Sequence, residues 1–130
     1  MSINYSVSIE AYAERHYVKS FSKKYKSKWD ITLNAIIEEL KRFDSLLTSS
    51  IAETIVDGGD VLIVKTEFRI ATTNESRKSS GNRCIIAVHK KLGIIKILLV
   101  YNKTDLSGTN ETAEWKRIIK ENYKDYEDLL

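Results

Sequence analysis

Across residues 77–103 the chain carries seven basic side chains, Arg77, Lys78, Arg83, Lys90, Lys91, Lys96 and Lys103, and no acidic one. Arginine and lysine at this density suit one chemistry above others. They hold phosphate, and they offset the negative charge that grows on a phosphodiester as it is cut. The densest stretch is Ser76-Arg77-Lys78-Ser79-Ser80-Gly81-Asn82-Arg83. Gly81 lets the backbone turn sharply into a strand, so Arg77 and Lys78 leave the sheet while Arg83 enters it. Serine hydroxyls and free backbone N–H groups in such a turn can donate to phosphate oxygens as well. Lys103 closes the next apolar strand in Tyr101-Asn102-Lys103. In an antiparallel pair, the chain leaving one strand lies beside the chain entering the other. Lys78, Arg83 and Lys103 are therefore expected to gather into one cationic pocket, with no carboxylate to neutralise it. The competing reading is a solvated loop whose charges face water.

Other chemistries find no residues to carry them. There is no glycine loop of the Walker or GxGxxG type, and His16 and His89 lie far apart in sequence. The lone Cys84 cannot form an intramolecular disulfide or supply a zinc site of the usual spacing. Set in Arg83-Cys84-Ile85-Ile86, it reads as a small buried hydrophobe rather than a catalytic thiol. His16 reads as a solvated or partly packed side chain. His89 sits beside Lys90 and Lys91 and has the stronger claim to touch RNA. No cofactor and no metal are expected.

The chain has 130 residues, 42% hydrophobic and 30% charged, with no proline and five glycines. That composition suits one globular domain spanning residues 1–130, with no linker or repeat. Its net charge of +3 is modest, but the charge is segregated. Residues 105–130 hold seven acids against four bases, while the first 28 residues hold six bases against Glu10 and Glu14. Met1-Ser2-Ile3-Asn4-Tyr5 lacks the basic and apolar parts of a signal peptide. The longest apolar run, residues 94–100, is broken by Lys96 and falls far short of the roughly 20 residues of a membrane helix. These features lead us to expect a cytoplasmic protein without membrane attachment.

The elements that must position the basic cluster follow from hydrophobic period. Tyr5-Ser6-Val7-Ser8-Ile9 alternates as a short strand does. Ala13, Tyr17, Phe21 and Tyr25 recur every four residues and predict a helix over 10–26. Leu33, Ile36, Ile37, Leu40, Phe43 and Leu47 predict a second over 28–47, with Ser27 and Asp30 as a capping box. A loop through Asp57-Gly58-Gly59-Asp60 leads to a β-branched strand over 61–70. After a polar connection over 72–81 come strands at 83–88 and 94–101, joined by the tight turn Lys90-Lys91-Leu92-Gly93. A last helix begins at Thr109 or Asn110 and presents Ala113, Trp115, Ile118, Ile119 and Tyr123 or Tyr126 as its apolar side. The predicted class is α+β, with a helical hairpin and a C-terminal helix packed on a small antiparallel sheet.

The segment Arg77-Lys78-Ser79-Ser80-Gly81-Asn82-Arg83-Cys84-Ile85-Ile86, then a hairpin, then Ile97-Leu98-Leu99-Val100-Tyr101-Asn102-Lys103, resembles the RelE/ParE toxin superfamily. Members carry a basic residue, small residues, a glycine, any residue, an arginine and an apolar strand, and later a strand ending in a short basic motif. The order of elements over about residues 10–123 matches too. The resemblance implies the toxin of a toxin–antitoxin pair that cleaves mRNA, with or without the ribosome, and is restrained by an antitoxin protein. In RelE-like members the ribose 2′-OH attacks the scissile phosphate without a metal, leaving a 2′,3′-cyclic phosphate and a 5′-OH. Carried over position by position, Lys78 and Arg83 would clamp the phosphate, and Lys103 would stand as a further catalytic basic residue. Lys65 and Arg69 would bind phosphate or abstract a proton, with Arg77 beside them. Tyr101 would pack in its strand or stack on a base. The alternative within the fold is a ParE-like toxin that binds DNA gyrase without cutting RNA, or a simple RNA- or protein-binding module. The chain departs from the pattern at Asn82, where an aromatic residue is common. Neither Tyr123 nor Tyr126 is matched to the tyrosine that many members carry near the C-terminus.

Overall fold

The structure, a computed structural model, describes residues 4–106 and 110–130. Five strands form one sheet in the order β1-β5-β4-β3-β2. They are β1 (Ser6–Ile9), β2 (Ala52–Asp57), β3 (Val61–Phe68), β4 (Asn82–His89) and β5 (Ile94–Asn102). Neighbours run antiparallel except β1, which pairs parallel with β5. The sequence reading anticipated four of these strands. It assigned no element to residues 52–57, whose Ala-Glu-Thr-Ile-Val-Asp has no clean alternation. The strand lies at the sheet edge, where only part of it is buried.

One face of the sheet is covered by the helical hairpin. Its first arm, α1, consists of Ala11–Ala13, a π-helical stretch Glu14–Val18 and Lys19–Tyr25. The second arm, α2 (Ser27–Lys41), continues after a break at Arg42 into the short α3 (Phe43–Leu46). Lys26, at φ 54°, makes the turn between the arms. Ser27 is thus already helical and does not cap α2, contrary to the capping box read from the sequence. Phe21 stacks on Trp29 at 4.7 Å, and both rings meet Phe68 of β3. Such aromatic pairs each contribute about 0.5–1.5 kcal/mol beyond the area they bury. Val64, Cys84, Ile86, Val88, Ile95, Ile97 and Val100 complete this layer. Burial pushes the Cys84 thiol up to about 12, so it packs as a hydrophobe and is inert as a nucleophile.

The opposite face takes α5 (Glu111–Asn122) and a terminal 3-10 stretch, Lys124–Leu129. Asn110 caps α5, its side chain accepting from the Ala113 N–H at 3.1 Å; Thr109, the other candidate, lies outside the described residues. Trp115, Ile119, Tyr123 and Tyr126 pack onto Ile63, Ile85, Ala87, Leu98 and Leu99. Because strand side chains alternate between faces, the hairpin layer receives the even positions of β3 and β4 and the α5 layer the odd ones. No helix among the described residues is long and apolar enough to cross a membrane.

Candidate functional site

Alternation also decides where the charged residues of the strands go. Lys65 and Glu67 share a face of β3, and on that face Glu67 pairs across to Arg83 of β4, which pairs across to Tyr101 of β5. The three make a row perpendicular to the strands, under the first turn of α5. Arg83 is only 9% exposed. Its Nη1 lies 3.9 Å from the Glu67 carboxylate, and its Nε lies 3.7 Å from Oε2 of Glu111. The same Glu111 oxygen accepts a 2.7 Å bond from the Tyr101 hydroxyl. Burial, together with this carboxylate, pushes the Tyr101 phenol well above its ordinary range.

The expectation of a carboxylate-free pocket therefore fails at Arg83. The acid-free stretch 77–103 is free of acids only along the chain. In space, β3 and the first turn of α5 supply one carboxylate each. The pairing is incomplete, because Arg83 Nε and Glu67 Oε2 are buried and make no hydrogen bond. Native proteins satisfy most buried polar atoms, so two unsatisfied ones in one charged row set it apart from the rest of the layer.

The other basic residues sort by what holds them. Arg77 opens the one-turn helix α4 (Arg77–Ser80) and makes two 2.7 Å bonds to Glu39 of α2. That fork fixes α4 to the helical hairpin, and it raises the Arg77 pKa further. A structural latch therefore competes with the substrate contact read from the sequence. Ser76 caps α4, Gly81 ends it at φ 78°, and Ser80 Oγ donates to the Phe68 carbonyl at 2.6 Å. Lys78 stands exposed on this turn. Opposite Gly81, the Lys103 N–H donates to the Gly81 carbonyl at 2.8 Å. A Cβ at residue 81 would meet the Lys103 stem and the Asn102 amide tightly, each at 3.3 Å, and the positive φ there already favours glycine. Lys103 thus packs beside Gly81, which lies two residues before Arg83 in sequence. Lys65 is half-buried beside Glu67, whereas Arg69 lies beyond β3 and reaches only the Glu75 carbonyl, at 3.4 Å. Among the described residues, Lys65, Lys78 and Lys103 make no ion pair.

His89 lies at the far end of β4 from Arg83 and shares a 2.8 Å hydrogen bond with Tyr126, so it belongs to the packing of the C-terminus. Among the described residues no three His, Cys, Asp or Glu side chains gather as a metal would require. Sequence reasoning missed Glu67 and the pairing of Glu111 with Arg83 and Tyr101. The signal for Glu67 was available, because Lys65 and Glu67 sit two apart in an otherwise buried strand and must share a face. Nothing in the sequence tied Glu111 to Arg83.

No family model matches the sequence, and no curated protein matches it. The fold does match a chain of the archaeal RelE–RelB complex from Pyrococcus horikoshii, with a TM-score of 0.53 and 17% identity. That match covers 77% of this chain and 96% of the archaeal one. The chain has a RelE-like α+β fold.

Proposed function

We propose that the protein is the toxin of a toxin–antitoxin pair and an endoribonuclease that cleaves mRNA in the cytoplasm. Its cleavage site would be the row Glu67–Arg83–Tyr101, with Lys65, Lys78 and Lys103 around it. The observation that carries this reading is Arg83, a strand-borne guanidinium with an unsatisfied Nε beside an unsatisfied carboxylate. The likeness to a chain from a RelE–RelB complex supports the toxin class and an antitoxin protein as partner.

The chemistry needs a base for the ribose 2′-OH, a cation for the phosphorane and a proton for the leaving 5′-oxygen. Glu67 suits the first role better than Lys65, because its carboxylate oxygens accept hydrogen bonds and protons whereas a lysine ammonium only donates. As the 2′-oxygen bonds to phosphorus, its proton passes to Glu67, and Arg83 and Lys78 take up the charge on the non-bridging oxygens. The P–O5′ bond breaks as Lys103 protonates the leaving oxygen, giving a 2′,3′-cyclic phosphate and a 5′-OH. The phosphate would take the place that Glu111 occupies beside Arg83, one anion replacing another. No metal enters these steps, and Tyr101, released from Glu111, becomes free to hydrogen-bond or stack.

A second reading, a ParE-like or other non-catalytic binder, is supported by the double carboxylate shield that leaves Arg83 little exposed. The two readings are separated by inducing the protein in a bacterium and mapping new RNA 5′ ends, with ribosomes present and absent. The nuclease reading expects new 5′-OH ends with wild type and their loss with Arg83→Lys and Glu67→Gln. Growth arrest without new ends, unaltered by either substitution, selects the binder.

A further inference from the structure

Strand alternation breaks in β5 just past the end of β1. Ile95 and Ile97 lie in the hairpin layer. Leu98 and Leu99 then both lie in the α5 layer, Val100 returns to the hairpin layer, and Tyr101 faces α5 again. Two successive side chains on one face do not occur in a regular strand. The β4–β5 register explains them. Ile86 stands opposite Ile97 and Ile85 opposite Leu99, so Leu98 is a β-bulge with no residue across from it on β4.

That bulge decides which side chain meets Arg83. Had β5 kept the register it has at Ile97, Val100 would face Arg83, and Tyr101 would fall opposite Asn82 with its ring in the hairpin layer. The extra residue instead sets Tyr101 opposite Arg83, in the row with Glu67. Re-aiming a side chain beside a functional site is a recurrent use of bulges.

We propose that Tyr123 is a positioning residue for the cleavage site, its hydroxyl holding the Leu98 bulge and thereby setting Tyr101 against Arg83. The inference rests on the ribonuclease reading above. β1 ends with Ile9 opposite Ile97, so from Leu98 onward the outer side of β5 has no strand beside it among the described residues. There the Tyr123 hydroxyl donates to the Leu98 carbonyl at 2.7 Å, in a buried setting. The tyrosine is itself well anchored. It closes α5, its N–H donating to the Ile119 carbonyl at 2.8 Å, and its ring meets that of Tyr12 edge-on at 5.6 Å. Burial holds the Tyr123 phenol well above its ordinary range, so the hydroxyl stays a donor. Being only 9% exposed, Tyr123 acts through β5 rather than on RNA. Removing its hydroxyl leaves a buried carbonyl short of a donor, which loosens the bulge.

The test uses the full chain and Tyr123→Phe, which keeps the ring and removes only the hydroxyl. Tyr126→Phe is the control, since Tyr126 lies in the same layer but its hydroxyl is bonded to His89 and not to β5. Melting curves confirm that both variants fold. Amide exchange reports on the bulge, and the ¹³Cζ resonance of Tyr101 reports on its hydroxyl, which is bonded to Glu111. Single-turnover cleavage gives the rate, and anisotropy with uncleavable 2′-O-methyl RNA gives the affinity. Tyr123→Phe should speed amide exchange at Leu98 and Leu99 about tenfold and shift the Tyr101 resonance. It should slow cleavage about tenfold while leaving RNA affinity within about twofold, because misplacement costs the reaction more than it costs binding. Tyr126→Phe should change none of these. Unaltered exchange and an unmoved Tyr101 resonance in Tyr123→Phe overturn the proposal, whatever the rate does. So does a loosened bulge with normal cleavage, and so do equal effects from Tyr126→Phe. If the bulge loosens as expected but wild type cuts no RNA, with ribosomes or without, the nuclease reading falls and the hold of Tyr123 on the row stands.

Discussion

The two faces of the sheet are made by alternate residues of the same strands, and they differ in how they treat polar atoms. On the hairpin face, Thr66 and Asn82 are buried but satisfied: Thr66 Oγ1 donates to the Cys84 carbonyl at 3.2 Å, and Asn82 Oδ1 accepts from Asn102. On the α5 face, Lys65, Glu67, Arg83 and Tyr101 interrupt the apolar layer, and the central ion pair keeps two orphaned atoms. An indole N–H is orphaned on each face, at Trp29 and Trp115, so the difference lies in the charged groups. A face built only for stability would have no reason to bury a guanidinium between two carboxylates, since well-packed apolar residues do as well or better. The comparison separates a layer that holds the molecule together from one that gives up stability for a charged site.

Substitutions of similar size on the two faces should therefore fail differently. Phe68→Ala, which removes a ring packed on Phe21 and Trp29, is expected to cost about 3–5 kcal/mol in denaturant melts and to leave RNA affinity per folded molecule unchanged. Arg83→Lys keeps the charge but loses the planar fork. It should lower RNA cleavage about 100-fold or more with a much smaller drop in stability, read by single-turnover cleavage beside a thermal melt. If Arg83→Lys cuts RNA normally, the contrast between the faces is only one of packing. Glu111→Gln tests the shield. Losing one counter-charge should cost about 1 kcal/mol of stability while tightening RNA binding and making it more salt-dependent, as followed by anisotropy between low and moderate salt.

Much of this contrast was legible in the sequence. The helical stripes through Phe21, Ile36 and Leu40 and the β-branched runs of β3, β4 and β5 fixed the elements, because burial on one or both faces imposes a period that residue types reveal. The role of Gly81 was legible too, since a sharp turn into a strand at positive φ favours a residue without a side chain. The counter-charges of Arg83 were not. Glu67 is sixteen positions upstream and Glu111 twenty-eight downstream, and their approach depends on the register of β3 against β4 and on where α5 docks. A charge count along the chain records neither. Arg77 shows the same limit: its neighbours in sequence are basic and polar, and the carboxylate that claims it comes from α2.

That latch gives a smaller prediction. Arg77→Ala and Glu39→Ala should each cost about 0.5–1 kcal/mol, because both side chains are partly solvated and the pair is screened. The double variant should cost no more than either alone, whereas an Arg77 that binds RNA would lower affinity in a way Glu39→Ala does not copy.

The smallest expected effect comes from the end of the sheet opposite Arg83, and it checks that charge sensitivity belongs to the row. His89 packs against Tyr126, and burial, then the nearby Lys96, lowers its pKa. A histidine whose folded pKa is depressed takes up its proton more readily in the unfolded chain, so its contribution is intact above about pH 6.5 and is lost as pH falls below that value. Stability measured by urea melts should therefore decline slightly from pH 7 towards pH 5.5, and His89→Gln should flatten that slope. Over the same range the RNA affinity of the folded protein should not follow His89, because its ring is engaged in the C-terminal packing and lies at the far end of β4 from Arg83. A binding curve that tracks the His89 titration would move the functional surface to the other end of the sheet.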